Sequence, residues 1–249
     1  MTDSLLLAGV FALIAALYAS VGQAGGTGYL AVMGLLGYGP EVIKPTALAL
    51  NILVAAIGCW RFARLGLLTW RSCYPFAILG APFSLLGGAT HLPPWLYQPV
   101  VGALLLLAAF QMIRTARTAV EDDERAAESS PFIPALLAGA GIGFVSGITG
   151  VGGGIFLAPL VLSLRWIETR QAAAISAVFN LMNSTAAMAG VWATMPVLPS
   201  ALPWWLIAVG VGGFIGSWIG ARYLPVKALR FILAGLLLAA GARMTLSFL

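Results

Sequence analysis

The sequence predicts an all-α polytopic membrane protein with two inverted-topology repeats, each a glycine-broken helical hairpin followed by three transmembrane helices. Three observations predict it. The 249 residues are 61% hydrophobic and 8% charged, with a mean hydropathy of +0.99, outside the range of ordinary water-soluble domains. Apolar stretches of about 17–20 residues recur along the whole chain, each long enough to cross a ~30 Å hydrocarbon core. Two glycine-rich breaks, Gly22-Gln-Ala-Gly-Gly-Thr-Gly28 and Gly147-Ile-Thr-Gly-Val-Gly-Gly-Gly154, interrupt apolar blocks at corresponding places in the two halves.

The apolar segments lie near 5–21, 29–39, 45–60, 74–90, 95–113, 133–149, 154–164, 171–192, 204–221 and 229–248. Those at 29–39 and 154–164 are too short to span. Read as one straight helix, the block 5–39 would be about 50 Å long, more than a bilayer accepts even with tilt. Each such block therefore folds back at its glycines, and three full crossings follow. Trp60, Trp70, Trp95, Trp166, Trp192, Trp204 and Trp205 fall mostly at segment ends, as an interfacial aromatic belt requires. The N-terminus has Asp3 and no basic residue before its first apolar run, unlike a signal peptide, and that run recurs at 133–149.

The chain is a duplication. Gly25-Gly26-Thr27 aligns with Gly152-Gly153-Gly154 and, at the same offset, Glu41 with Glu168. Two residues out of step, Asn51 and Ala55 align with Asn180 and Ser184; later, Gly80, Ser84 and Gly88 align with Gly212, Gly216 and Gly220. These last two sets have the four-residue spacing of small residues that brings helices close together. The repeats are 1–118 and 132–249, joined by an acidic linker over 119–131 that contains Glu121-Asp-Asp-Glu124 and reads as a solvated cytoplasmic segment.

Basic residues set the orientation. Arg61, Arg64 and Arg71 crowd the loop before 74–90, whereas the loop at 91–95 has only His91. In the second half, 193–203 is uncharged and the next loop holds Arg222, Lys227 and Arg230. Positive loops stay cytoplasmic. Equivalent loops therefore lie on opposite sides, both termini lie outside, and the linker lies inside. A net charge of +5 is accounted for by these loops and calls for no nucleic-acid partner; the bilayer is the expected surroundings.

Broken helices at matching positions of two repeats are the sequence pointer to a transport site. Successive N–H groups at glycine turns, with the N-terminal dipoles of the short helices beginning near Thr27 and Gly154, make an electropositive pocket without a buried cation. A small anionic substrate suits it. The candidate binding residues are Gln23, Gly25, Gly26, Thr27, Gly28, Thr149, Gly150, Gly152, Gly153 and Gly154 at the breaks, and Asn51, Asn180 and Asn183 about two turns into the next helices. Ser146 lies near the second break. Amides in hydrocarbon are costly unless hydrogen-bonded, so these side chains should face the interior.

The remaining chemistry is sparse. Lys44 and Lys227 are the only lysines and neither follows a P-loop pattern. No Ser/His/Asp or metal-ligand cluster points to an enzyme, a metal or a cofactor. Cys59 and Cys73 read as packing residues. Glu41 and Glu168 stand just before helices as partners of the N-terminal dipoles, with proton coupling as an alternative.

At these residues the chain resembles the sulfite exporter TauE/SafE family of membrane permeases. The likeness rests on Gly25-Gly26-Thr27-Gly28-Tyr29-Leu30, on Gly150-Val-Gly-Gly-Gly-Ile-Phe-Leu-Ala-Pro159, and on the helix after each. Thr27 replaces a glycine of the fuller pattern, and Met33 stands where a proline often does. The resemblance implies transport of sulfite, sulfonates or related organic anions across a prokaryotic cytoplasmic membrane, most simply as an exporter. Uptake of another anion such as a carboxylate, and a non-transporting anchor that holds a soluble partner through the linker, are the rival readings. The sequence is compatible with a homodimer but does not fix an oligomeric state.

Overall fold

The computed structural model describes residues 2–118, 131–167, 169–193, 198–220 and 226–246; Glu168, Arg222 and the core of the acidic linker lie outside these. The described residues form ten helices and no strand. They are α1 (Thr2–Ser20), α2 (Gly26–Leu35), α3 (Pro40–Arg64), α4 (Trp70–Ala89), α5 (Pro94–Thr118), α6 (Phe132–Thr149), α7 (Gly154–Ser163), α8 (Thr169–Trp192), α9 (Leu202–Gly220) and α10 (Val226–Leu246). Both glycine-rich stretches break their blocks: α2 and α7 have 10 residues each, about 15 Å, half a bilayer.

Among the described residues, six helices are long and apolar enough to cross a membrane: α3, α4, α5, α6, α8 and α10. Five of these, α3, α4, α5, α8 and α10, are among the expected crossings. α6 joins them with 18 residues, and α9, the remaining expected crossing, has 19 residues over Leu202–Gly220. The outer surface suits hydrocarbon. Leu6, Trp70, Trp204, Ile207 and Trp218 are each at least 60% exposed, a density of bare apolar side chains that water would not tolerate. Trp205 departs from the expected belt, because it is buried against α1, with its indole N–H donating to the Ser4 carbonyl at 3.1 Å.

Packing is reciprocal between the halves. α4 lies along α6, and α1 along α9; α4 also meets α8 as α3 meets α9. Small residues make these contacts. A Cβ on Gly139, Gly143 or Gly147 would overlap the carbonyls of Phe76, Gly80 and Ser84, and one on Gly212 or Gly216 those of Ala12 and Ala16. The four-residue stripes thus bring backbones together, as their spacing predicts. Successive contacts rise together in number in both pairs, so the partners run parallel. By contrast, Leu48 clusters with Ala187 and Val191, while Gly58 faces Ala177, so α3 and α8 run antiparallel. Arg230 donates to the Thr115 carbonyl, and Gly102 approaches Thr245, so α5 and α10 are antiparallel too.

Candidate functional site

The two glycine breaks touch. A Cβ on Gly26 would overlap the Val151 carbonyl of the opposite break and lie 3.2 Å from Asn51. One on Gly152 would overlap Asn51, Asn180 and Ser184. This junction sits at mid-length of α3 and α8, where Asn51 Nδ2 donates to Asn180 Oδ1 at 3.0 Å and to Ser184 Oγ at 2.8 Å. A second bond runs back from Asn180 Nδ2 to Asn51 Oδ1 at 3.4 Å. The aligned asparagines of the two halves therefore pair with one another.

Left-handed glycines start both short helices. Gly25 (φ 91°) caps α2 and Gly153 (φ 84°) caps α7, and neither cap supplies a side-chain hydrogen bond. First-turn amides have no intrahelical acceptor, so both starts present N–H groups and positive dipole ends. Only glycine adopts this φ without strain.

A cavity of about 500 Å³ lies against one side of the junction. Its inner end is formed by Gly25, Gly26, Thr27, Val151, Gly154 and Asn180; its mouth is beside Arg61, Phe62, Leu65 and Leu67, at the turn between α3 and α4. Gln23 and Ser176 line it too, and Gln23 Oε1 and Ser176 Oγ are buried with no hydrogen-bond partner among the described residues. The hydroxyls of Tyr18 and Thr27 are hydrogen-bonded at 2.8 Å on its wall. Polar groups that lack a protein partner are groups that a solute or water must satisfy.

The breaks are not equivalent. The first faces the cavity almost throughout, whereas Gly154 and Val151 are the parts of the second that line it. Gly28 packs on Ile14 and Tyr18, where a Cβ would come within 2.6 and 2.9 Å. Thr149 turns away: its hydroxyl donates to the Val145 carbonyl, and its own carbonyl accepts from Tyr97 Oη at 2.8 Å. Gly150 abuts Lys44, and Gly153 abuts Ile142, Phe179 and Ser146. Asn183, expected beside the others, faces α4: its carbonyl accepts from Ser84 Oγ at 2.8 Å, and its amide has no partner among the described residues. Asn180 and Ser184, four residues apart, face Asn51 of α3, and Asn183, between them in sequence, stands on the flank that meets Ser84 of α4.

Sequence reasoning missed Tyr18, Ser176 and Ser217 on the wall and assigned Arg61 to topology alone, although it stands at the mouth. Arg61 had a signal: Asn51, Val54, Gly58 and Arg61 follow the helical spacing of one face.

This fold and half-open cavity define a polytopic membrane transporter. The chain belongs to the TauE/SafE family: residues 5–244 match the family described as sulfite exporter TauE/SafE. It is 51% identical over 243 residues to a protein of Sinorhizobium fredii (strain NBRC 101917 / NGR234) named "Probable membrane transporter protein y4hK", covering 98% of each chain. No solved structure matches. The family and this relative are membrane transporters, not enzymes.

Proposed function

We propose that the protein is a secondary transporter that exports small sulfur oxyanions, such as sulfite or an organosulfonate, by alternating access. The contact between Gly26 and Val151 at mid-length of the antiparallel helices α3 and α8 carries the reading. It brings two uncapped helix starts to one place, and such ends bind anions through N–H groups and dipole. The relation of α3 to α8 and of α5 to α10 supports inverted repeats, for which equivalent helices must run in opposite directions. With the arginine-rich turn cytoplasmic, the cavity opens inward and both termini lie outside the cell. Sulfonate and sulfite share a compact, oxygen-rich head that several N–H donors can surround, and no full ionic contact traps it at the junction.

Flux into proteoliposomes tests this with sulfite, a short alkyl sulfonate, acetate and succinate as the panel. Sulfite and sulfonate should move and compete with each other. Movement of the carboxylates alone would replace the substrate assignment, and movement of no anion would end the transport reading in favour of an anchor.

A further inference from the structure

The face of α3 that meets the junction is open at one end and shut at the other. Lys44, Leu48, Asn51, Ala55 and Gly58 follow one another at three- and four-residue steps along it. Beyond Ala55 no residue of α3 is buried, and Gly58, Arg61 and Phe62 line the cavity. Toward the N-terminus, almost every residue from Ile43 to Asn51 is buried. Leu48 is sealed against Ala187 and Val191.

Lys44 closes that end. Only 8% exposed, it extends its ammonium to the C-terminal turn of α4 and donates to the carbonyls of Gly87 (3.1 Å), Gly88 (2.8 Å) and Thr90 (3.0 Å). Among the described residues no carboxylate pairs with it. Its main chain and Cγ lie 3.2–3.3 Å from where a Gly150 Cβ would stand, so Lys44 touches the second glycine break as well. Lys44 therefore joins two packed trios, α1–α3–α9 and α4–α6–α8, at a point about 10 Å from the Asn51–Asn180 contact, seven residues along α3. On the cavity side of that contact, the aligned positions in α8 are Gln171 or Ala173, according to the offset used, and neither is a cation.

A helix C-terminus carries roughly half a negative charge on its unpaired carbonyls. It is a weak anion surrogate. Resting on the transport reading above, we infer that Lys44 is an anion-binding residue of the oppositely facing state, occupied in this state by the α4 C-terminus. The same contact is the latch that holds the far side shut. An anion reaching the far side competes with three carbonyls for one ammonium. Once they part, the end of α4 swings from α3, Leu48 leaves Ala187 and Val191, and the Lys44 ammonium faces the new vestibule as Arg61 faces the present one.

The test is side-specific labelling in a Cys59→Ser, Cys73→Ser chain with a membrane-impermeant maleimide. Leu48→Cys reports the sealed end and Ala173→Cys the open cavity. With Lys44 intact, the cysteine at 173 should react from the Arg61 side and that at 48 hardly at all. Lys44→Met should raise labelling at 48 from the opposite side by roughly 10- to 100-fold, the weight of a charge-assisted contact, and lower that at 173. Lys44→Gln keeps two N–H donors, should show a smaller change, and carries the test if the methionine variant does not reach the membrane. In the same variants, KM for sulfite presented from the α4 C-terminal side should rise about tenfold, with little change from the other side. Unchanged labelling at 48 overturns the latch, and an unchanged KM overturns the anion contact. Labelling needs no substrate, so it decides the latch even where wild-type protein moves no anion, an outcome that removes the transport reading and the anion contact together.

Discussion

Asn51 and Asn180, 129 residues apart and aligned in the duplication, hydrogen-bond each other in both directions at the centre of the molecule. Ser184 Oγ completes the group by accepting from Asn51. Under the proposed alternating access, a pair of amides suits a junction that moves. Each amide has a donor and an acceptor, and the pair stays satisfied as the helices tilt.

Asn51→Ala removes two donors' work at once and leaves Asn180 Oδ1 short of a buried partner. The expected cost is about 1–3 kcal/mol, seen as a fall in melting temperature in detergent. Asn180→Ala should cost a similar amount, and the double variant clearly less than the sum, because the two share one contact. Additive losses would show that the amides act separately.

Gly26→Ala and Gly141→Ala should differ sharply. The first drives a methyl group into the Val151 carbonyl, whereas the second meets nothing within 4 Å. Overpacking of this kind costs about 1–3 kcal/mol, while a helical Gly→Ala change in open space stabilises by up to about 1 kcal/mol. Thermal unfolding followed by fluorescence separates them, and flux should be lost only in the first.

Two tyrosine hydroxyls should separate stability from transport. Tyr97→Phe deletes the bond that tethers the Thr149 carbonyl, and should lower the melting temperature by about 2–4 °C for about 1 kcal/mol. Tyr18→Phe deletes the bond to Thr27 on the cavity wall and should alter sulfite flux more than melting. Equal effects of both on both readouts would contradict this division.

Arg61→Gln should raise KM for an exported anion roughly 3- to 10-fold at low salt and flatten its dependence on ionic strength, with Arg61→Lys close to wild type. Flux at two salt concentrations checks it. A KM independent of the charge at 61 would leave Arg61 with a topological role alone.

Much of the architecture was legible in the residue string. Both breaks and both undersized helices after them are visible because hydrophobicity and glycine act locally: the first sets which segments leave water, the second where a helix can turn back. The glycine stripes of α4 and α9 were legible for the same reason, their spacing being a property of one helix. Asn183 was grouped with Asn180 because it lies three residues from it, and nothing local says which of the two faces α3 and which faces α4.

By itself the sequence determined that this chain lives in a bilayer and breaks an apolar helix at two glycine-rich stretches. Those properties follow from transfer free energy and backbone freedom summed over neighbouring residues. Tertiary structure decided that the two breaks touch, that one end of α3 stands open, and that Lys44 is spent on the carbonyls of α4. Each of these depends on segments tens to more than a hundred residues apart crossing at one angle, and packing of whole helices, rather than the preference of any residue, sets that angle.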